Sequence, residues 1–353
     1  LQLQKGGGAV SAHGIRLHGG GRDSLKGGIP ALGVPEGFPE PKPFPAPGKD
    51  AGPSEILRAA RAAGISDEFD GAPLAPRLKR LAERKTELLA ACCFDDDPFF
   101  SSARAVLRED AGKVADGLRL AARACGARET VLAAASRREL KALRDLPPGL
   151  AAAAAESRYP ARILLMRRLC GGKKRGAWIG AQACAALSDA VRRGRPQTET
   201  VVTAAGDGVA RTRNFRVRIG TPVGAVLKAA GARENVRLVA VGSSLAGRTV
   251  TDLSLPVTAA TRGVLALTEL PARRVFPCVR CGRCARACPQ GILPWLALRE
   301  LESGAPDPLR LFHVESCVGC AACDAVCPSG IGLVAAVRRA AARKEAGFPD
   351  ETA

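Results

Sequence analysis

Cys278-Val279-Arg280-Cys281-Gly282-Arg283-Cys284-Ala285-Arg286-Ala287-Cys288-Pro289 decides how the last quarter of the chain is read. The same spacing returns in Cys317-Val318-Gly319-Cys320-Ala321-Ala322-Cys323-Asp324-Ala325-Val326-Cys327-Pro328. Each run is C-x2-C-x2-C-x3-C-P, the ligand pattern of bacterial two-cluster ferredoxins. The shape of an iron–sulfur cubane explains the spacing. Thiolates at i, i+3 and i+6 on a tight loop wrap three iron corners, and the fourth corner takes a cysteine from outside that loop. The spacing therefore predicts one [4Fe–4S] cluster on Cys278, Cys281, Cys284 and Cys327. It predicts a second on Cys317, Cys320, Cys323 and Cys288. Gly282 and Gly319 leave room for the chain to turn around each cluster, with backbone N–H groups facing sulfur. Structural zinc is the competing reading, but zinc usually takes two C-x2-C pairs rather than two runs of four. With a cysteine at all eight corners, no iron is left open for substrate. Electron transfer is favoured over Lewis-acid chemistry.

The rest of the composition agrees with this. The chain has 353 residues and 13 cysteines, an odd number that argues against a secreted disulfide framework. Lys and Arg number 53 against 34 Asp and Glu, a formal charge of +19. Two clusters with their thiolates lower this to roughly +15. Such an excess suits an acidic partner. Aromatic residues are only 4%, too few for a stacking-based nucleic-acid surface, and no nucleic-acid role is expected. No apolar stretch approaches the ~18 residues of a membrane span, and the first residues do not read as a signal peptide. The expected location is cytoplasmic, or peripheral at the inner membrane through partners.

Upstream, residues 1–52 are rich in Gly and Pro and read as an irregular lead-in. Residues 53–197 alternate helical and strand patterns, an α/β layer. Helices are expected from Ser54, through Leu78, Leu81, Leu88 and Leu89, from Ser101 or Ser102, from Asp110 to Gly126, over Ser136–Leu143 and over Ala181–Arg192. Strands are expected at Thr130–Ala134 and Arg162–Met166. Residues 198–270 carry strands at Val201–Thr203, Phe215–Ile219, Val236–Val241 and Val264–Leu267 around one helix at Pro222–Ala230, a small α+β module of β-grasp type. The ferredoxin-type domain is expected at 271–335, and a basic helix and tail at 336–353.

The tail and the preceding module together resemble the RnfC-like family of Rnf electron-transport complexes. The cobalamin reductase of propanediol utilisation and the electron-transfer protein associated with proline reductase are related to that family. The resemblance is carried by Val201-Val202-Thr203-Ala204-Ala205-Gly206-Asp207-Gly208, Arg218-Ile219-Gly220-Thr221-Pro222, Leu255-Pro256-Val257-Thr258 and Pro277-Cys278-Val279-Arg280-Cys281-Gly282-Arg283-Cys284. It implies a multidomain fold: a flavin/NADH-binding α/β domain like that of the complex I 51-kDa subunit, a soluble-ligand-binding β-grasp (SLBB) module and a dicluster ferredoxin-like domain. It also implies FMN and NADH as cofactors, with a residual flavin site at Gly71, Asp95, Asp96 and Asp97. The family's flavin loop reads G-G-A-G-F-P-T. Here the stretch is Glu68-Phe69-Asp70-Gly71-Ala72-Pro73-Leu74-Ala75-Pro76, in which Asp70 and the prolines crowd a phosphate and remove N–H donors.

Two functional readings follow. In the first, the chain passes electrons through its two clusters between a soluble acidic carrier of ferredoxin or flavodoxin type and a partner reductase or membrane electron-transport complex. In the second, it is an FMN-dependent NADH dehydrogenase subunit with the clusters as exit wire. A scaffold whose clusters only hold the fold is a third class. Lesser candidates are Cys92-Cys93 beside the flavin loop and the basic loop Cys170–Gly176. Metal binding by His13 and His18, cluster tuning by His313, and steering of an acidic partner by Arg280, Arg283 and Arg286 complete the set. Trp295 reads as core packing under the cluster lobe.

Overall fold

Leu88–Cys93 contains no polar side chain and is buried along its whole length. Such a strand needs cover on both faces, as in the middle of a parallel sheet. In the computed structural model it is strand β1 of that kind. The structure describes residues 29–32, 41–143, 149–155, 159–269, 274–304, 311 and 313–345. Most of the lead-in, with His13 and His18, lies outside the described residues, as does the end of the tail. No helix among the described residues is long and apolar enough to cross a membrane.

The chain forms two compact units. In the first, helices α1 (Pro53–Ala62) and α2 (Leu74–Glu83) lead into β1. Leu88 and Leu89 therefore belong to a strand, not to the expected helix through Leu78 and Leu81. Apolar spacing alone cannot separate a buried strand from a helix face, and here the unbroken apolar run is the better guide. After β1 come α3 (Ser102–Cys125), β2 (Glu129–Ala134), α4 (Arg137–Ala142), β3 (Ala151–Ala154), α5 (Ala161–Cys170), β4 (Gly176–Gly180) and α6 (Ala181–Arg193). The sheet runs β3-β2-β1-β4, with every pair parallel. The two helices expected around Asp110 are one helix with a kink there (φ −123°, ψ 31°). Arg162–Met166 is helical, not a strand. Its helix starts after Pro160 and stops at the left-handed Gly171. Gly117 lets α3 lie against α6, since a Cβ there would strike the Cys184 carbonyl.

A five-stranded sheet completes this unit. It consists of β5 (Glu199–Ala205), β6 (Arg213–Arg218), β7 (Leu238–Val241), β8 (Arg248–Val250) and β9 (Gly263–Leu267) in the order β6-β5-β9-β7-β8. β5 and β9 are parallel and the other pairs antiparallel. Helix α7 (Val223–Ala229) buries Val226 and Leu227 in the core with Val202, Phe215, Val239 and Val264, giving the β-grasp form. The two sheets of the unit are joined through buried polar groups. The Gln182 amide accepts from Val201 N–H (2.6 Å) and donates to its carbonyl (3.1 Å). Ser101 N–H donates to Thr203 Oγ1 (3.0 Å), and Thr203 donates to Asn214 Oδ1 (2.6 Å).

The second unit carries the cysteine runs. Short helices α8 (Arg283–Ala287) and α10 (Ala322–Ala325) each lie between the second and fourth cysteines of a run, and α9 (Pro294–Glu302) and α11 (Leu333–Glu345) follow the Cys-Pro pairs. Ile292, Ala297, Leu311, Val314, Val337 and Ala340 form a core there. The loops share their left-handed positions. Arg280 (φ 52°) and Gly282 (φ 71°) in the first are left-handed, as are Gly319 (φ 63°) and Ala321 (φ 59°) in the second. Each loop thus has one glycine and one strained L-residue, in swapped places.

Candidate metal centre

The thiols fall into two sets. Cys278, Cys281, Cys284 and Cys327 line one hollow, with Arg280, Gly282, Trp295 and Leu333. Cys288, Cys317, Cys320 and Cys323 line another, with Pro289, Ala321 and Val334. In each set the fourth cysteine comes from the other run. Along each run two thiols sit on the left-handed loop, the third on the short helix, and the fourth follows that helix and joins the other set. Among the described residues no three His, Cys, Asp or Glu side chains converge tightly enough for a single ion. Sulfurs ringing a hollow suit the separated corners of a cubane better than a zinc ion.

Burial is uneven. Cys278 and Cys281 are exposed, while Cys284, Cys323 and Cys327 are buried. Burial pushes the Cys284, Cys320 and Cys323 thiols above their ordinary value, and at Cys323 the neighbouring Asp324 adds to this. Thiolates at these positions need a strongly electron-accepting partner, which an iron cluster is. The buried Asp324 carboxylate accepts from Val334 N–H (2.8 Å) at the start of α11 and lies 3.6 Å from Cys323 Sγ. Nothing in the spacing of the cysteine run signals its place beside a ligand. His313 is exposed, 3.9 Å from Glu315.

The α/β sheet poses a different question. A doubly wound sheet takes its ligand outside the carboxyl ends of its strands, where strand order reverses. That crevice lies between β1 and β4, and the chain's own carboxylates occupy it. Asp67 accepts from Gly180 N–H (3.0 Å). Glu68 accepts from Gln182 N–H (2.8 Å) and Ala183 N–H (3.1 Å), the first donors of α6. Both acids are fully buried. A Cβ on Gly180 would fall on the Glu68 carboxylate. Desolvation, with Asp67 beside it, pushes Glu68 up to about 8 despite the donors facing it.

Gly71 is left-handed (φ 70°) in the same loop, next to Ala260. The three Asp residues are helix caps and loop ties rather than ligand groups. Asp95 accepts from Ala103 N–H (3.0 Å) and Ser102 (3.1 Å) at the start of α3. Asp96 accepts from Arg162 N–H (3.0 Å) at the start of α5. Asp97 accepts from Phe99 N–H (3.0 Å) and Ser243 (3.0 Å). Burial raises Asp95 and Asp96 above the usual carboxylate range. Arg162 and Arg262 stack on the Phe69 ring, 4.3 and 4.9 Å from its centre. With a carboxylate already on first-turn N–H groups of all three helices, the residues do not fit a flavin phosphate. Glu68 opens the stretch set against the family's glycine loop, with Asp67 just before it, and that acidic pair is the available sequence signal.

Cys92 and Cys93 lie on β1, not in a loop. They are fully buried, with thiols pushed well up by desolvation, and are core residues. The basic loop after Cys170 is engaged by acids: Lys174 pairs with Glu129 (2.6 Å) and Arg175 with Glu87 (3.7 Å).

Comparison with known proteins fits both units. Residues 277–331 match the family described as 4Fe-4S dicluster domain. Over 279 residues the chain is 30% identical to the RnfC component of the ion-translocating oxidoreductase complex of Rhodobacter capsulatus, covering 72% of this chain and 53% of that protein. Over 270 residues it is 30% identical to the same component from Pseudomonas aeruginosa, covering 69% of this chain and 34% of that one. The chain thus spans about half the length, or less, of these curated relatives. A crystal structure of an NAD+-reducing [NiFe]-hydrogenase in the H2-reduced state superposes with a TM-score of 0.53 at 17% identity, over 85% of this chain and 64% of that one, a likeness of fold. The chain is a homologue of the RnfC family of ion-translocating electron-transport complexes, and its cysteine-rich unit is a 4Fe–4S dicluster domain.

Proposed function

We propose that the chain is an electron-transfer subunit. Cys278, Cys281, Cys284 and Cys327 hold one [4Fe–4S] cluster, and Cys317, Cys320, Cys323 and Cys288 the other. The clusters supply reversible one-electron storage. The protein's part is to hold two of them close by exchanging one ligand between runs, and to present them to partners. One partner is an acidic redox protein of ferredoxin or flavodoxin type. The other is a reductase or a membrane electron-transport complex, at which the chain sits peripherally on the cytoplasmic side. The working domains are 53–197, 198–270 and 271–335.

The pair of cysteine-ringed hollows carries this reading. FMN-dependent NADH oxidation gains no support from the α/β sheet, whose anion cradle is filled by Asp67 and Glu68. The test is anaerobic purification with iron, sulfide and flavin measured on one sample, followed by potentiometry. About eight iron and eight sulfide per chain, little flavin and reversible reduction are expected. A sample without sulfide refutes the clusters. Clusters that cannot be reduced reversibly refute electron transfer and leave a scaffold.

A further inference from the structure

We infer that the two centres have different faces, and that the acidic redox protein docks on the face of the first, at Arg274, Val275, Phe276, Val279, Arg280 and Arg283. This rests on the electron-transfer reading and adds which centre meets which partner.

The asymmetry starts in the sequence. Residues 274–294 hold four arginines, Arg274, Arg280, Arg283 and Arg286, and no carboxylate. Residues 313–332 hold two carboxylates, Glu315 and Asp324, and no Lys or Arg. The two loops share their left-handed positions, and the charges they carry differ. In the first loop everything from Arg274 to Cys281 is exposed. Val275 is 66% exposed, Phe276 54% and Val279 67%. Arg274, Arg280 and Arg283 have no carboxylate partner among the described residues, and Arg286 turns to the Cys281 carbonyl (3.4 Å). At the second centre Cys317 and Cys320 are half-buried, and the guanidinium of Arg338 from α11 packs over Gly319.

Arg280 occupies a left-handed position that its counterpart fills with glycine, Gly319. It adds an exposed charged side chain where the second loop has none. An apolar centre of Val and Phe with an arginine rim is the composition of a protein-docking patch, and its sign selects an acidic partner. Two exposed cysteines at its centre bring the first cluster close to whatever docks.

The test uses the full chain with both clusters, prepared without oxygen, and a small acidic ferredoxin as probe. Rates of electron exchange are followed by stopped flow at low and high salt. Arg280→Glu should slow exchange about tenfold at low salt, with the difference shrinking at high salt. Arg338→Glu makes the same charge change at the second loop and should leave the rate near that of the parent. Arg280→Gly relaxes the loop and removes one charge, so a smaller loss is expected. Reduction by dithionite, a small reductant needing no docking, should proceed in every variant and shows that clusters are intact. Equal rates for Arg280→Glu and parent overturn the proposal. So does a loss confined to Arg338→Glu, which moves the port to the second centre yet leaves electron transfer standing. A parent whose clusters dithionite cannot reduce removes the electron-transfer reading itself.

Discussion

Glu68→Gln isolates the group that fills the sheet's crevice. Glu68 is fully buried and raised from 4.5 to about 8, so the folded chain holds a proton there that the unfolded chain releases above about 4.5. A raised carboxylate stabilises the fold fully below its unfolded value, and that contribution is lost as pH climbs towards about 8. Each pH unit in that window is worth up to about 1.4 kcal/mol, so the whole window sets an upper bound of about 5 kcal/mol. Asp95 and Asp96, also raised, add slope of the same sign, and Asp116, lowered by Arg192 and Ser188 against its own desolvation, adds slope of the opposite sign. The informative quantity is therefore the difference between parent and variant. Gln mimics the protonated acid, so the two should be similar near pH 4, and the variant should be the more stable by several kcal/mol near pH 8. The chain has two tryptophans, Trp178 on β4 and Trp295 in the cluster unit. In a Trp295→Phe background, urea denaturation followed by Trp178 fluorescence reports on this sheet alone. Parallel pH profiles for parent and variant would mean that Glu68 is ionised at neutral pH. Its two N–H donors would then outweigh burial, and the reasoning would fail.

Two further substitutions probe the cluster unit. Cys288→Ala should damage the centre built on the second run, with the signal of the first largely kept; EPR that shows only the first centre lost would refute the ligand exchange. Asp324→Asn removes a negative charge 3.6 Å from Cys323 Sγ while keeping an acceptor for Val334 N–H, so the second centre should become easier to reduce. Redox titration followed by EPR gives the potential of each centre, and an unchanged second potential would show that Asp324 acts on packing only.

The cysteine runs are legible because their geometry is local: ligand spacing along eleven residues fixes loop, cluster type and exchange together. Four of the five β-grasp strands are legible for a similar reason, being short β-branched runs between clear turns such as Gly206-Asp207-Gly208; the three-residue edge strand Arg248–Val250 is too short to show a pattern. Three strands of the parallel sheet are not. Leu88–Cys93 follows leucines at helical spacing and is absorbed into their pattern. Ala151–Ala154 has the composition of a helix and is a strand only because it pairs with β2 in register from Val131 to Ala134. Gly176–Gly180 has a glycine at each end and only three side chains to show a period. Arg162–Met166 misleads the other way, its Ile-Leu-Leu-Met run looking like a buried strand. Glu68 is beyond reach for a different reason. Its partners on α6 are 114 and 115 residues away, and no local pattern encodes such a bond.

These misses bear on function because they concern one edge of one sheet. Helices α3, α5 and α6 follow strands β1, β3 and β4, so all three begin at the carboxyl edge, where a doubly wound fold gathers N–H donors for an anion. Asp95 accepts from a first-turn N–H of α3, Asp96 from one of α5 and Glu68 from two of α6. An external phosphate would have to displace buried carboxylates from donors 2.8–3.1 Å away, and leave those acids without partners. The layer thus keeps the shape of a nucleotide-binding sheet with its anion sites answered from within. If the crevice admits no flavin, electrons have one kind of entrance left, a protein surface next to a cluster, and the exposed arginine-rimmed loop at Cys278 and Cys281 is built as one.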